Sequence, residues 1–331
     1  MDALPVNEPA GLAFASKAKA MWMGQETGVM HACGHDGHVA ILMGVAEVLA
    51  RMKDRIPGTV KLIFQPAEEG APEGEEGGAR LMVKQGVLDN PIPEAIFGLH
   101  LTSPAVAGRI LYRAGPVMAS SDTFRIVVKG KQTHGARPWA GVDPIVVASQ
   151  IVLGLQTIAS RQLDVTLEPS IVTVGTIHGG NRGNIIPYEV EMIGTVRTFN
   201  EEMRRDIHRR IRNTAESIAQ SAGAKAEVAV TDGYDVTNNN EKLTERAVAT
   251  LRAVAGGANV FLSPKATAAE DFSAYQKVIP GFYFHVGARP KDLPPEKAGA
   301  NHSPLFMVDE SVLKLGVRAL SNLTLDYMSG R

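Results

Sequence analysis

The chain has 331 residues, of which 44% are hydrophobic and 21% charged, a composition typical of a globular protein with two domains or one large domain. Its 34 lysines and arginines balance 35 aspartates and glutamates, so the net charge of -1 provides no basic surface for nucleic acid or an anionic membrane. No uninterrupted apolar run approaches the roughly 18 residues that a membrane-spanning helix requires.

The first third of the chain alternates between helix-like and strand-like patterns. Apolar residues at helical spacing predict a helix over 38–54, and the run GGARLMVKQGVL predicts another over 77–88. Two short apolar runs, TVKLIF at 59–64 and AIFGLH at 95–100, predict strands. This alternation indicates parallel strands joined by crossover helices.

The middle of the chain predicts a different unit. Its predicted elements are, in order, a strand at 122–130, a helix at 143–161, strands at 170–180 and 188–199, a helix at 201–223 and a strand at 225–233. Asp143 is expected to cap the first of these helices, with Pro144 in its first turn. The order βαββαβ is that of the ferredoxin-like split motif.

The predicted fold class is therefore α/β with two domains. We expect 1–116 and 232–331 to combine into one α/β domain, and 117–231 to form the inserted ferredoxin-like domain. The last segment contributes a predicted helix, KLTERAVATLRAVAG, and a predicted strand, GFYFHVG.

Side chains that commonly bind metals lie at the ends of predicted strands or in the loops beside them, where ligands bind in open α/β sheets. They are Cys33 and His35 ahead of the first helix, Glu68 and Glu69 after 59–64, His100 at the end of 95–100, and His302 in AGANHSPLF. A set containing thiolate and imidazole suits zinc or manganese better than calcium or magnesium, which prefer oxygen.

Each of these residues has an ordinary interpretation when it is taken alone. A single cysteine is usually a small buried hydrophobe, a histidine at a strand end is usually hydrogen-bonded or solvated, and two adjacent glutamates are usually surface charge. Taken together, independent stretches that all end in ligand-type residues favour a metal site. The adjacent glutamates add a base beside it, which metal-assisted hydrolysis of an acyl bond requires.

Seven motifs along the chain resemble a known family. They are MHACGHDGH, FQPAEEG, GLHL, HGARPWAGVDPI, GGNRGNIIPYEVEMIGTVRTF, AAEDF and NHSPLF. Together, and in this order, they are similar to the metal-dependent amidohydrolases of peptidase family M20, in the subfamily of hippurate hydrolases, N-acyl-amino-acid deacylases and auxin-conjugate hydrolases. The resemblance covers essentially the whole chain.

The resemblance implies a centre with two divalent metal ions, zinc or manganese. It implies Cys33 as the thiolate between the two ions, with the further ligands His35, Glu69, His100 and His302. Glu68 resembles the general base of the family. His31, Asp36 and His38 match no ligand position, and we expect structural roles for them or contacts behind the ligands.

The inserted domain is similar to the lid or dimerisation domain of the family, which implies a homodimer or a higher homo-oligomer. His134 resembles the imidazole that reaches across the dimer to the oxyanion, and Arg197 resembles the guanidinium that binds the carboxylate of the substrate. Asn184 is expected to add a polar contact in the same cleft. Glu270 and Asp271 are expected to support the site from behind. His178, His208 and His285 are assigned no role, and His208 is expected to be solvated.

One departure from the family concerns the start of the chain. Family members carry a stretch like RADMDALPV well inside the chain, whereas this sequence begins at MDALPV. Asp2 then corresponds to the second aspartate of that stretch, which orients a group of the metal site. Met1 resembles an interior methionine, so we expect either a start assigned too late or an inactive truncated homologue.

The predicted function is metal-dependent hydrolysis of the amide bond of N-acyl amino acids, a small-molecule substrate class, which releases a carboxylic acid and an amino acid. A dipeptidase or aminopeptidase of the same superfamily is the alternative. The single cysteine and the absence of a signal-peptide pattern favour a cytoplasmic protein.

Overall fold

Buried apolar side chains form a separate core in each of two compact units of the chain. The structure, a computed structural model, describes residues 2–9, 12–71 and 74–330. Unit 1 comprises Met1–Val117, Asn238–Pro264 and Asp271–Arg331, and unit 2 comprises Met118–Thr237 and Lys265–Glu270. Met1, whose resemblance to an interior methionine is noted above, lies outside the described residues. Helices and several sheets occur together, which confirms the α/β class.

The described chain contains both strands and helices. The strands are β1 Lys19–Trp22, β2 Gln25–Gly28, β3 Ile96–Val106, β4 Ile110–Tyr112, β5 Gly115–Met118, β6 Ser121–Lys129, β7 Thr133–His134, β8 Ser170–Gly179, β9 Ile185–Ile186, β10 Glu189–Thr198, β11 Lys225–Tyr234, β12 Thr237–Asn239, β13 Val260–Leu262 and β14 Gly281–Arg289. The helices are α1 His35–Arg51, α2 Gly78–Lys84, α3 Pro144–Thr157, α4 Glu201–Ser221, α5 Glu241–Ala255, α6 Ser273–Gln276 and α7 Ser311–Met328.

Unit 1 is built on a mixed four-stranded sheet in the order β13-β4-β14-β3. β3 runs parallel to β14 and β4 runs parallel to β13, but β4 and β14 are antiparallel, so the expected all-parallel sheet is wrong in this respect. Helix α7 packs against both α1 and α5, and all three helices pack against this sheet. Their apolar faces, with Ile41, Leu251 and Ala319 fully buried, meet Leu101 of β3 and Phe284 of β14.

Two sequence predictions for unit 1 differ from the structure. The expected strand over 59–64 does not form, and α2 is shorter than the predicted helix over 77–88. A strand requires a neighbour for its backbone groups, and no described residue pairs with 59–64. The side chains of Leu62 and Phe64 accordingly remain 37% and 45% exposed.

Unit 2 contains an antiparallel sheet in the order β11-β6-β10-β8. All six elements predicted for this region form, in the predicted order, and α3 and α4 pack on the sheet. Asp143 caps α3 by accepting hydrogen bonds from the backbone N–H groups of Ile145 and Val146. The alternating residues of β6, Phe124, Ile126 and Val128, are fully buried beneath the helices.

A buried ion-pair network ties α4 to the start of β6 and the end of β11. Arg204 donates to Asp122 through Nε at 2.9 Å and Nη2 at 2.5 Å, and to Asp235 through Nη1 at 2.5 Å. His208 Nε2 lies 2.9 Å from Asp122 Oδ2, so the expectation that His208 is solvated is wrong. Burial alone would raise the pKa of Asp122, but hydrogen bonds from His208 and Arg204 outweigh it and lower that pKa to about 2.

Replacing Asp122 with asparagine is expected to destabilise unit 2 by about 3 kcal/mol, because it leaves the buried Arg204 guanidinium without its main counter-charge. A carboxylate whose folded-state pKa is lowered stabilises the fold above its ordinary pKa of 3.8 and loses that contribution as pH falls towards about 2. Thermal unfolding from pH 7 to pH 3 should therefore show a large difference between wild type and variant that shrinks below about pH 4.

Glu227→Gln provides the matched control, since it removes a carboxylate from the same sheet. Glu227 accepts from Lys129 at 2.7 Å, but its side chain is 42% exposed. Surface pairs of this kind contribute little to stability. An Asp122→Asn variant that unfolds like Glu227→Gln at pH 7 would contradict a stabilising role for the buried network.

Candidate metal centre

The loop that leads into α1 carries two of the predicted ligands on either side of a sharp turn. Gly34 adopts φ 86°, a left-handed conformation that glycine tolerates readily, and a Cβ at this position would lie 3.2 Å from Phe306 Cζ. The turn brings Cys33 and His35 to the same side of the loop within metal-ligand range, and both are buried.

His100, on the edge strand β3, is oriented by the backbone of the next residue. Its Nδ1 lies 2.7 Å from the carbonyl oxygen of Leu101. Because a carbonyl oxygen can only accept, Nδ1 carries the proton of the neutral ring and Nε2 carries the lone pair. That Nε2 is 3.3 Å from Cys33 Sγ. Burial, reinforced by the neighbouring His285, lowers the pKa of His100 to about 3, which keeps the ring neutral as a metal ligand must be.

The remaining two ligand candidates lie in loops with strained backbones. Ala67, directly before the glutamate pair, has φ 55°, and His302 has φ 71°, both in the left-handed region that non-glycine residues rarely adopt. His302 Nε2 lies 2.9 Å from Glu69 Oε1. Strain of this kind persists where the surrounding structure imposes it, commonly at functional sites.

These residues form two groups that share one sulfur. The ligand atoms of Cys33, His35 and His100 all lie within 4.8 Å of one another, as do those of Cys33, Glu69 and His302. Glu68 belongs to neither group. It lies beside them, with Oε2 3.6 Å from His35 Nε2. The structure thus brings all six residues of unit 1 that were predicted as ligands or base into one place.

Asp2 joins the two halves of this centre. Its Oδ1 lies 3.2 Å from Nδ1 of His35, and its Oδ2 accepts a 2.8 Å hydrogen bond from the backbone N–H of Glu69. Burial would raise the pKa of Asp2, but the contact with His35 and the backbone hydrogen bond lower it to about 2. A carboxylate behind a ligating imidazole fixes the ring and leaves Nε2 for the metal.

The chemistry of the donor atoms fits a cation. Glu69 Oε1 is buried and accepts no hydrogen bond within the described part of the chain, although His302 Nε2 is close to it. Burial raises the pKa of the Cys33 thiol, and the charge of Glu69 raises it further. A buried carboxylate oxygen, a thiol sulfur and imidazole nitrogens that lie close together are the donor set of a zinc-type site.

Three residues near the centre were not predicted as functional or had only a general assignment. Asn301 donates from Nδ2 to the carbonyl oxygen of Leu101 at 3.0 Å and lies 3.8 Å from Cys33 Sγ. His38 Nε2 accepts from the backbone N–H of Leu101 at 2.9 Å, which is a structural role. His285 stands beside His100 in the register of β14 and β3, with ring centroids 6.1 Å apart.

The other predicted site residues lie in unit 2. Two short strands, β7 and β9, bring the loops of His134 and Asn184 together, with the N–H of Gly135 donating to the carbonyl oxygen of Asn184 at 2.8 Å. Both side chains are exposed. Arg197 is half-buried on β10, where its Nη1 donates to Thr195 Oγ1 at 2.7 Å, and burial lowers its pKa.

Comparison with known proteins gives consistent matches. A family described as Peptidase family M20/M25/M40 matches residues 1–326. Thermostable carboxypeptidase 1 of Saccharolobus solfataricus is 41% identical over 331 residues, which cover 99% of this chain and 79% of that protein. N-acetylcysteine deacetylase of Bacillus subtilis is 37% identical over 324 residues, which cover 98% of this chain and 78% of that protein.

A solved structure is also similar over nearly the whole chain. It is a Bacillus subtilis protein described as a dinuclear metal binding peptidase, 34% identical, with a TM-score of 0.79 over 99% of this chain and 79% of that chain. Among the described residues, no helix combines the length and the apolar character needed to cross a membrane.

Proposed function

Because the chain belongs to peptidase family M20/M25/M40, as its motifs predict, we propose that it is a metal-dependent amidohydrolase that cleaves N-acyl amino acids. The products are a carboxylic acid and a free amino acid. The observation that carries the proposal is the position of Glu68, a carboxylate beside two ligand groups that share Cys33. A relative named for deacetylation of N-acetylcysteine supports an N-acyl substrate.

Two divalent cations, zinc or manganese, are the proposed cofactors. Cys33, His35 and His100 would hold one, and Cys33, Glu69 and His302 the other. When bound, such cations polarise an amide carbonyl and acidify the attacking water. The relative described as a dinuclear metal binding peptidase supports the number two, and the sulfur and nitrogen donors support the choice of metals.

Glu68 is the proposed proton carrier of the reaction. Its carboxylate takes a proton from the attacking water as the oxygen forms a bond to the carbonyl carbon. The same proton then passes to the amide nitrogen as the carbon–nitrogen bond breaks, so the amino acid leaves as a neutral amine. Asp2 keeps His35 and the backbone of Glu69 in place while this happens.

We interpret unit 2 as the inserted lid and dimerisation domain. The proposed boundaries of this domain are 117–231, and 1–116 and 232–331 form the proposed catalytic domain. The βαββαβ order of unit 2 is that of a ferredoxin-like domain. β8 is an edge strand with exposed Ile171 and Ile177, and α3 exposes Val146 and Leu153. Such an edge and apolar face suit a homodimer in which the partner's copy of His134 stabilises the oxyanion. Asn184 is the proposed source of a further polar contact with the substrate.

Arg197 is the proposed group for the free carboxylate of the substrate, and a substrate panel tests this together with the reaction. The panel contains an N-acetyl amino acid, its primary amide and a dipeptide. We expect wild type to prefer the N-acetyl amino acid, and Arg197→Met to lower kcat/KM for this acid about tenfold to hundredfold, since a charge-assisted hydrogen-bond pair is lost. Turnover of the primary amide should not change.

Arg125→Met on the neighbouring strand β6 is the control for removal of an arginine from the same sheet, because Arg125 is exposed and pairs with Glu191. Equal losses on the acid and the amide would exclude Arg197 from carboxylate binding. The carboxypeptidase relative favours peptides as a second candidate substrate class. Faster cleavage of the dipeptide than of the N-acetyl amino acid would establish that alternative.

A further inference from the structure

The carboxylate of Asp271 binds the chain on both sides of the glutamate pair, at Gln65 and at Ala79. Asp271 is 4% exposed and lies two residues before the start of α6. Its two oxygens accept hydrogen bonds from Gln65 Nε2 at 2.7 and 2.9 Å, and its Oδ2 also accepts from the backbone N–H of Ala79 at 2.7 Å. Gln65 stands three residues before Glu68, and Ala79 lies in the first turn of α2.

The backbone near Ala79 is shaped to admit this carboxylate. Gly78 has φ +63°, and a Cβ built on it would lie only 2.2 Å from Asp271 Oδ2 and 3.0 Å from the carbonyl oxygen of Ala67. Gln65 is held from its other side by Tyr275, whose hydroxyl donates to Gln65 Oε1 at 2.9 Å. The contact is therefore specified by residues on both sides of it.

The glutamates lie between this anchor and a second one. Asp2 accepts from the backbone N–H of Glu69, so the chain is fixed at residue 65, at residue 69 and again at residue 79. Ala67, between the first two points, has φ 55°. A side chain that must sit within a fraction of an ångström of a metal or a reacting atom depends on such supporting contacts.

We propose that Asp271 is a positioning residue that sets the placement of Glu69 as a metal ligand and of Glu68 as the base. Only the predicted loss of turnover rests on the proposed function. The predicted loss of metal affinity depends on the donor atoms alone.

The test measures Mn²⁺ affinity by titration calorimetry on chelator-treated protein, and kcat and KM for an N-acetyl amino acid. Asp271→Ala is expected to weaken Mn²⁺ binding and to lower kcat about tenfold to hundredfold, the usual effect of losing a supporting contact, with KM nearly unchanged. Gly78→Ala should produce the same losses while Asp271 is still present, because the new Cβ displaces the carboxylate. Thermal unfolding checks that each variant is folded.

Two further variants separate this role from a general structural one. Gly74→Ala introduces the same side chain at φ +84° in the same segment, but among the described residues no atom beyond its chain neighbours lies within 4 Å of the new Cβ, so metal affinity should be retained. The exchanged pair Gln65→Glu with Asp271→Asn restores a carboxylate–amide contact with donor and acceptor reversed. It should recover most of the affinity that Asp271→Ala loses.

Wild-type values for both Asp271→Ala and Gly78→Ala would overturn the proposal, as would a loss in Gly74→Ala equal to that in Gly78→Ala. If Asp271→Ala does not fold, Gly78→Ala and the exchanged pair decide the question. If wild type cleaves no N-acyl amino acid and the variants still weaken Mn²⁺ binding, the positioning role holds and the proposed function fails.

Discussion

Replacing Glu68 with glutamine is expected to lower kcat by about 10²- to 10⁴-fold, the contribution of a general acid–base group, while the metal content stays at its wild-type value. Glutamine has the same shape as glutamate, but it can neither take the proton of the attacking water nor return one to the leaving nitrogen. Glu68 lies in neither of the ligand groups that contain Cys33, so its charge is not needed to hold a cation there. Hydrolysis of an N-acetyl amino acid, followed beside metal analysis, measures both quantities.

Glu69→Gln is the natural comparison because it changes the adjacent residue in the same way. Glu69 Oε1 faces His302, so this variant should lose metal as well as activity. A Glu68→Gln enzyme that turns over near the wild-type rate would exclude Glu68 as the base. A Glu68→Gln enzyme that is inactive only because it has lost its metal would show that Glu68 is a ligand instead.

Replacing Cys33 with alanine is expected to remove both cations. Cys33 Sγ is the one atom common to both ligand groups among the described residues, and loss of a thiolate weakens each group at once. His302→Ala, by contrast, changes only the group that contains Glu69, so one cation per subunit should be retained. Metal content after gel filtration in metal-free buffer distinguishes two, one and none, and hydrolysis should be absent in Cys33→Ala.

Asp36→Asn, in the first turn of α1, is a suitable control for a substitution close to Cys33. Asp36 is adjacent to His35 but exposed. Within the described part of the chain, its carboxylate accepts a hydrogen bond only from the backbone N–H of Gly37. Its metal content and activity should match wild type. Retention of two cations by Cys33→Ala would contradict a shared sulfur ligand.

The middle of the chain could be predicted because its pattern is local. β6 alternates buried and exposed residues, and α4 repeats apolar residues at helical spacing, so sequence periodicity is enough to identify both. The segment 59–64 has the same kind of apolar pattern but forms no strand, because strand formation depends on a neighbour that periodicity does not reveal. The hairpin β1–β2 and helix α7 were not predicted, although α7 has a clear apolar stripe.

The candidate site could be predicted as a set of residues but not as an arrangement. Resemblance to the family identified Cys33 and Glu68 by their motifs, and the geometry then groups them in unit 1. The contacts of Gln65 with Asp271, and of Asn301 with Cys33, join residues more than 200 positions apart. Hydrogen bonds over such separations leave no periodic signal in the sequence. The contact of His208 with Asp122 was also missed, because these residues are 86 positions apart and no periodic pattern links them.

The left-handed backbone at Ala67 and His302 has a consequence for engineering this enzyme. Each conformation costs on the order of 1–3 kcal/mol, which the rest of the fold must offset. The strained backbone of the centre therefore lowers the stability of the fold but keeps the ligand residues in place. Substitutions that remove this strain would raise the thermal stability and lower the turnover. Stabilising substitutions are better sought on the exposed surfaces of α4 and α5, where backbone geometry is regular and no ligand depends on it.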